Sequence, residues 1–324
     1  MSRVTGVVLL YAVLAAFPVS AQKSTSPPIP PDKFRAELDT LVRGHEYARA
    51  DDLVRRQLEN LGEPAVTYFE TGKVYFEHED WQRSSTFLEK SLQANGANDA
   101  AHRFLGLVYR ALHRPEEAEA QFLEAAKQRP SDRLNAYFAG HQLLLNGKSE
   151  AALPYLYSAL DSKALASQAL QALALAQARL GNYGLAEAYY HKAIESPETS
   201  DEERYASLLN LSVLLLLGHD TERLEQGLSC AQRAQQLRLN SPEAHFLAGK
   251  ALFKLGRVQQ AVPELLRAAK LDVKDRRPHF ILASIYDQLG QHDLAEIERQ
   301  ELDRIRGRDG LGGMGTDGPL PANH

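Results

Sequence analysis

Residues 99–132 read DAAHRFLGLVYRALHRPEEAEAQFLEAAKQRPSD, and the spacing of their small and apolar residues decides the fold. Apolar residues recur three and four positions apart, which is the period of an α-helix that buries one face. Leu105-Gly106 lets a neighbouring helix approach closely, and Tyr109 can fill the space beside it. Pro130 then ends the second helix. The stretch therefore predicts a hairpin of two packed helices.

The same pattern returns along the chain at an interval of 34 residues. One column of small residues holds Ala50, Ser84, Ala118, Ala152, Ala186, Gly227, Ala261 and Ala295, with one step of 41 among steps of 34. A second column repeats that single step of 41 in Ser91, Ala125, Ala159, Ala193, Ala234 and Ala268. Because both columns carry the same seven-residue insertion, the chain is a tandem repeat. The insertion predicts longer loops around residues 196–201 and 218–223.

These residues resemble the tetratricopeptide repeat (TPR) family, whose units are helical hairpins of 34 residues. The best unit carries Leu105-Gly106, Tyr109, Ala118, Phe122, Ala125 and Pro130. The resemblance implies an all-α, right-handed superhelical solenoid of about eight helix-turn-helix units. The units span residues 31–64, 65–98, 99–132, 133–166, 167–200, 201–241, 242–274 and 275–308.

The sequence also predicts the turns between helices and the capping units at the two ends of the array. Glycines that suit a tight turn between two helices stand at Gly147, Gly181, Gly256 and Gly290. The first unit departs from the family pattern at Leu38 and Gln57, and the last at Arg299 and Leu302. Polar departures are expected of terminal units, which cap the array and face water.

The two ends of the sequence predict segments outside the array. Residues 1–21 have a basic start, an apolar run and small residues before Gln22, the layout of a cleavable signal peptide; a retained anchor is the alternative. Residues 22–30 predict a Pro-rich linker and residues 309–324 a disordered Gly-rich tail. Gln22, and not a cysteine, stands directly after the cleavage site, which argues against a lipoprotein anchor, and no later stretch is apolar enough to span a membrane. We therefore expect a periplasmic or secreted protein of bacterial type.

Composition and motifs favour a binding protein over an enzyme. The net charge of −5, from 37 basic and 42 acidic residues, argues against nucleic acid as the partner. The single cysteine, Cys230, excludes an intramolecular disulfide and a paired-cysteine metal site. His45-Glu46 lacks the second histidine of a zinc protease motif, because Arg49 stands there. We expect no catalytic residue, cofactor or metal, and we expect Cys230 and Trp81 to be packing residues.

The resemblance implies that the first helix of each unit lines a concave groove in which ligands lie. The candidate peptide-binding residues on that face are Phe69, Lys73, Phe76, Arg103, Arg110, Tyr137, His141, Phe246, Lys250, Phe253, Lys254, Arg277 and Phe280. A Phe-Lys-Phe triplet with helical spacing occurs twice, at 69–76 and 246–253. A lysine between two solvent-facing rings suits a partner with apolar side chains and a carboxylate. The alternative is that the rings shield the groove floor and the charges are solvated.

The sequence thus predicts an exported scaffold that binds proteins or peptides in a basic and aromatic groove, in envelope assembly or secretion. One alternative is an accessory or catalytic subunit that acts on envelope polysaccharide. Another is a structural oligomer that associates through the sixth unit, whose first helix offers Leu209, Val213, Leu216 and Leu217.

Overall fold

A computed structural model describes residues 29–309, and these residues form sixteen α-helices and no strand. The helices are α1 (Pro31–Arg43), α2 (Tyr47–Leu61), α3 (Pro64–Glu77), α4 (Trp81–Ala94), α5 (Asp99–Ala111), α6 (Pro115–Gln128), α7 (Arg133–Leu145), α8 (Ser149–Ala159), α9 (Ala166–Arg179), α10 (Tyr183–Glu195), α11 (Asp201–Leu215), α12 (Thr221–Leu237), α13 (Pro242–Lys254), α14 (Val258–Leu271), α15 (Arg277–Gln288) and α16 (His292–Asp309). The expected all-α fold is confirmed. The signal peptide expected at residues 1–21, the linker before Ile29 and the tail after Asp309 lie outside the described residues.

The described helices group into two compact units, of which one ends at Leu112 and the other begins at His113. In the first unit α1 packs on α2 and α3 on α4. In the second, the hairpins are α7–α8, α9–α10, α11–α12, α13–α14 and α15–α16. The odd-numbered helices, which are the first helix of each repeat, also contact the next odd-numbered helix within each unit. They therefore form a face, which is where the candidate residues lie.

Small residues set the distance between the two helices of a hairpin. A Cβ atom on Gly249 would lie 2.6 Å from Cγ of Leu265, and one on Gly140 would lie 2.8 Å from Cγ of Leu156. Real Cβ atoms do not approach other heavy atoms so closely. The leucine of the second helix therefore occupies the space that a larger residue on the first helix would need, as the sequence column predicted.

In seven of the eight repeats the turn between the two helices uses one left-handed residue, and the turn at residues 216–220 of the sixth repeat has none. In four repeats this residue is one of the predicted turn glycines, with φ between 70° and 80°. In the first three repeats the same position holds His45, Glu79 and His113, with φ of 56°, 58° and 56°. The left-handed backbone conformation of the turn is therefore retained in repeats that have no glycine at this position.

The sixth repeat accommodates its additional residues differently from the expectation of two longer loops. Its internal turn, residues 216–220, has five residues, whereas residues 146–148 and 255–257 form turns of three. The loop at residues 196–200 is no longer than the one at 272–276. The rest of the insertion lengthens both helices: α11 has 15 residues against 13 in α13, and α12 has 17 against 14 in α14. A helix absorbs additional residues without leaving backbone groups unpaired.

The polar departure in the first repeat is not a water-facing one. Gln57 is buried, and its Nε2 donates a hydrogen bond of 2.8 Å to the carbonyl oxygen of Ile29. Ile29 itself packs against the core of the first unit. Gln57 therefore fastens the chain that leads into α1, which corrects the expectation of a solvated capping residue.

Candidate functional site

The second unit contains a groove of about 630 Å³ between α13, α15 and α16. Six candidate residues line it: Phe246, Lys250, Phe253, Lys254, Arg277 and Phe280. Arg276, Ile281 and Leu302 complete the lining and were missed from the sequence. We call this cavity the α13–α15 groove. The six residues meet because α13 and α15 are adjacent first helices.

The aromatic rings of the groove differ widely in exposure. Phe246 is buried in the core, and the guanidinium carbon of Arg277 lies 4.3 Å from the centre of its ring. This position corrects the expectation of a solvent-facing ring, because the next repeat covers it. Phe253 is half-buried, whereas the side chain of Phe280 is 69% exposed. Phe280 is therefore the ring that is open to a partner.

Two of the four cations at the groove are already engaged within the chain. Arg277 forms ion pairs with Asp275 and Glu243, and hydrogen bonding to Asp275 raises its pKa although burial opposes the rise. The Nζ atom of Lys254 donates to the carbonyl oxygens of Leu216 at 2.7 Å and Gly218 at 3.1 Å. It thus satisfies carbonyls of the turn that follows α11. Both residues line the groove, as the sequence predicts for peptide-binding residues, but their polar groups already have partners within the chain.

Lys250 is in the opposite situation. It is half-buried, and no carboxylate of residues 29–307 lies within ion-pair distance of its Nζ atom. Burial lowers its pKa from 10.5, and the neighbouring charges of Lys254 and Arg277 lower it further, while Glu243 offsets part of the change. The exposed Arg276 likewise has no ion pair within the described chain. Lys250 and Arg276 are therefore the two cations of the groove that remain available to an anion.

The first Phe-Lys-Phe triplet lies in the first unit and is satisfied by its own neighbours. Lys73 pairs with Glu70 at 3.2 Å and lies 5.2 Å from the ring centre of Phe69. Phe69 and Phe76 both pack edge-on against Phe104, with centres 6.0 and 5.2 Å apart. The rings are half-buried rather than solvent-facing. Here the alternative interpretation, in which the rings shield the floor, fits the contacts.

One residue explains why two triplets of the same pattern differ. Glu70 stands three positions before Lys73, whereas Leu247 stands three positions before Lys250 and is buried. The first lysine has a carboxylate one turn away on its own helix, and the second does not, because the carboxylate of its helix, Glu243, lies two turns away. This difference is visible in the sequence and could have separated the two triplets.

The remaining candidates lie on other helices. Arg103 is half-buried and Arg110 exposed on α5 of the first unit. Tyr137 and His141 on α7 have ring centres 5.6 Å apart and line a smaller groove of about 190 Å³. In the sixth repeat Leu216 is buried, whereas Val213 and Leu217 are exposed.

Cys230 and Trp81, the two residues expected to be packing residues, differ in burial. Cys230 is buried, and burial raises the pKa of its thiol to about 11. Trp81 is only half-buried and contacts Phe76 edge-on at 5.4 Å. No group of three or more His, Cys, Asp or Glu side chains in residues 29–307 is arranged to hold a metal ion. Among the described helices, none has the length and apolar character needed to cross a membrane.

Comparison with known families gives a match to the tetratricopeptide repeat at residues 69–133, 139–201, 220–279 and 246–306, together more than half of the chain. The chain belongs to the tetratricopeptide repeat family. TPR arrays are scaffolds for protein–protein interaction, because stacked hairpins present an extended binding surface. The partners that this fold implies are proteins or peptides.

Relatives and solved structures are similar to the chain over parts of their length. DnaJ homolog subfamily C member 3 of Rattus norvegicus is 26% identical over 211 residues, which are 62% of this chain and 41% of that protein. The chain therefore spans less than half of this curated relative.

Two solved structures share the fold. PilW, described as a widely conserved type IV pilus biogenesis factor, has a TM-score of 0.58 at 17% identity and covers 67% of this chain and 98% of its own. The APC/C hetero-tetramer Cut9–Hcn1 has a TM-score of 0.55 at 15% identity and covers 79% of this chain and 49% of its own. At these identities the likeness concerns the fold alone. With the family match, it confirms the TPR solenoid class expected from the sequence.

Proposed function

We propose that this TPR chain is an exported scaffold that holds a segment of a protein partner in the α13–α15 groove. The observation that carries the proposal is Lys250, a half-buried cation that forms no ion pair with a described carboxylate. Retaining a desolvated charge beside two other cations costs folding free energy. A partner that brings an anion recovers part of that cost on binding.

The cavity and its exposed ring support the same proposal. An apolar recess flanked by charged groups is the usual composition of a binding site. Phe280 adds a large exposed ring, and aromatic residues concentrate binding energy when a partner covers them. Both features lie on the face formed by the first helices of the repeats.

The export part of the proposal rests on residues 1–21 of the sequence. Their layout is that of a cleavable signal peptide, and envelope assembly or secretion is the setting that we propose. A similar fold occurs in a protein described as a pilus biogenesis factor, which agrees with that setting by fold alone. Mass spectrometry of the mature protein should find Gln22 at the N-terminus. An intact Met1 on cytoplasmic protein would contradict export.

The binding part is tested by cross-linking capture from envelope extract. Full-length protein is compared with Phe280→Ala and with Phe69→Ala, the matched ring at the repeat-equivalent position of the first unit. We expect Phe280→Ala to lose a specific partner that the other two capture. If all three capture the same proteins, the α13–α15 groove is not the binding surface.

Self-association is a second candidate, because Val213 and Leu217 of the sixth repeat are 43% and 59% exposed. Adjacent exposed apolar residues favour an interface. Light scattering over a range of concentrations tests it. A mass that stays that of the monomer would remove this candidate.

A further inference from the structure

The α13–α15 groove combines an apolar wall with two available cations, and this combination restricts which ligands can bind there. Its apolar wall is formed by Phe253, Phe280, Ile281 and Leu302, and its available cations are Lys250 and Arg276. An occupant must therefore cover apolar surface and supply negative charge at the same time.

Equivalent positions in the preceding repeat are buried, which indicates that the apolar wall is a surface suited to being covered. Phe280 stands 34 residues after Phe246 and is its equivalent in the last repeat. Phe246 is buried because Arg277 of the following repeat lies over its ring, whereas Phe280 is 69% exposed. Leu302 is likewise the equivalent of Ala268, which is buried at the junction of consecutive repeats. The groove therefore combines the first-helix face with an uncovered repeat surface.

The charges on that surface are not arranged for a cationic or neutral occupant. Asp275 and Glu243, the carboxylates beside the groove, are both engaged by Arg277. Lys250 and Arg276 have no such partner in the described chain. A cationic segment would meet repulsion from both, and a neutral apolar segment would leave Lys250 desolvated and unpaired.

From this arrangement we infer that the groove selects an acidic, apolar peptide segment: a carboxylate that accepts a hydrogen bond from the Nζ atom of Lys250, next to a large apolar side chain packed on Phe280 and Leu302. The inference rests on the proposed scaffold function and adds the chemistry of the partner. The carboxylate is inferred from charge complementarity with Lys250, and the apolar side chain beside it is inferred from the exposed ring of Phe280. An anionic amphiphile such as a fatty acid shares this chemistry, but the protein-binding family of the chain favours a peptide.

The test uses full-length protein and an array of blocked pentapeptides in which Asp or Glu precedes Leu, Ile, Phe or Trp. A matched array carries Asn or Gln instead of the acid. We expect the acidic members to bind at least about tenfold more tightly, the effect of one charge-assisted hydrogen bond. Lys250→Gln should abolish the preference and keep weak binding of both arrays, whereas Lys73→Gln, the equivalent lysine of the first unit, should keep the preference.

The outcomes separate this inference from the proposed function. If amide and acidic peptides bind equally and Phe280→Ala removes both, the groove binds peptides but the inference is wrong. Decanoate serves as the fatty-acid probe in the same assay. If neither array binds, or if decanoate binds and the peptides do not, an acidic peptide is not the ligand and the inference is overturned. Partner capture from extract that depends on Phe280 would still support the scaffold function in that case.

Discussion

At the residue scale, two lysines in the same pattern have opposite roles. Lys73 is paired with Glu70, whereas Lys250 is half-buried beside Lys254 and Arg277 and forms no ion pair with a described residue. A paired surface charge contributes little to stability, and a desolvated unpaired charge lowers it. The lysine whose charge lowers the stability of the fold thus lies in the groove where we propose that a partner binds.

Replacing each lysine by methionine distinguishes the two roles. We expect Lys250→Met to raise the free energy of unfolding by about 0.5 kcal/mol, because it removes a desolvated charge and keeps the apolar stem. Lys73→Met should lower it by a similar amount, because the pair with Glu70 is lost. Chemical denaturation measures both. A decrease of equal size in both variants would show that Lys250 stabilises the fold as a paired lysine does, which would contradict the assigned role.

The lowered pKa of Lys250 gives this difference a pH dependence. Since the pKa is lower in the folded than in the unfolded chain, the folded state binds fewer protons between the two values, and stability rises with pH there. The advantage of Lys250→Met should therefore be full below the lowered pKa and disappear as the pH approaches 10.5. Unfolding of both proteins from neutral pH to pH about 10.5 tests this. A constant difference would contradict it.

At the element scale, the close approach of the two helices in a hairpin depends on single glycines. Gly140 contacts Leu156 across α7 and α8, and Gly249 contacts Leu265 across α13 and α14. By contrast, a Cβ on Gly184 in α10 would meet no heavy atom within 4 Å. Helical glycines in the same chain thus have different reasons to be glycine.

Alanine at these positions should act in opposite directions. Gly140→Ala forces α7 and α8 apart and should lower the free energy of unfolding by about 2 kcal/mol. Gly184→Ala should raise it by up to about 1 kcal/mol, because alanine favours the helix and meets no obstacle. Thermal unfolding of both variants measures the effects. Equal stability of the two variants would contradict the packing account.

Much of the hairpin could be predicted from the sequence, because a local period of 3.6 residues and a repeat of 34 determine it. The predicted turn residues Gly147 and Gly256 are left-handed, for example. The burial of Phe246 could not be predicted from its own helix, because Arg277 of the next repeat covers it. Leu302 departs from the family pattern in the sequence, and its role in lining the groove is visible only in the structure.

At the scale of the whole molecule, contacts within each unit join only helices that are adjacent or next-but-one in the chain. Stability in such an array is a sum of local terms rather than a property of one shared core. A disturbance in one repeat should therefore weaken its neighbours more than distant repeats.

Hydrogen exchange of Gly249→Ala tests this locality within the second unit. We expect amide exchange to accelerate most in α13 and α14, less in α11 and α15, and least in α7 and α8. The reason is that α13 contacts α11, α12, α14 and α15 but not α7. Uniform acceleration across α7 to α16 would show that the unit opens as one cooperative body.

The buried thiol of Cys230 has a practical consequence. A maleimide reacts with an accessible thiolate, and Cys230 is both buried and held as the thiol by a pKa of about 11. It is also the only cysteine in the 324 residues. A cysteine introduced at Val273, which is exposed three positions before Arg276, would accept a fluorescent dye selectively in the native background. Emission from that dye would report occupancy of the neighbouring groove in real time.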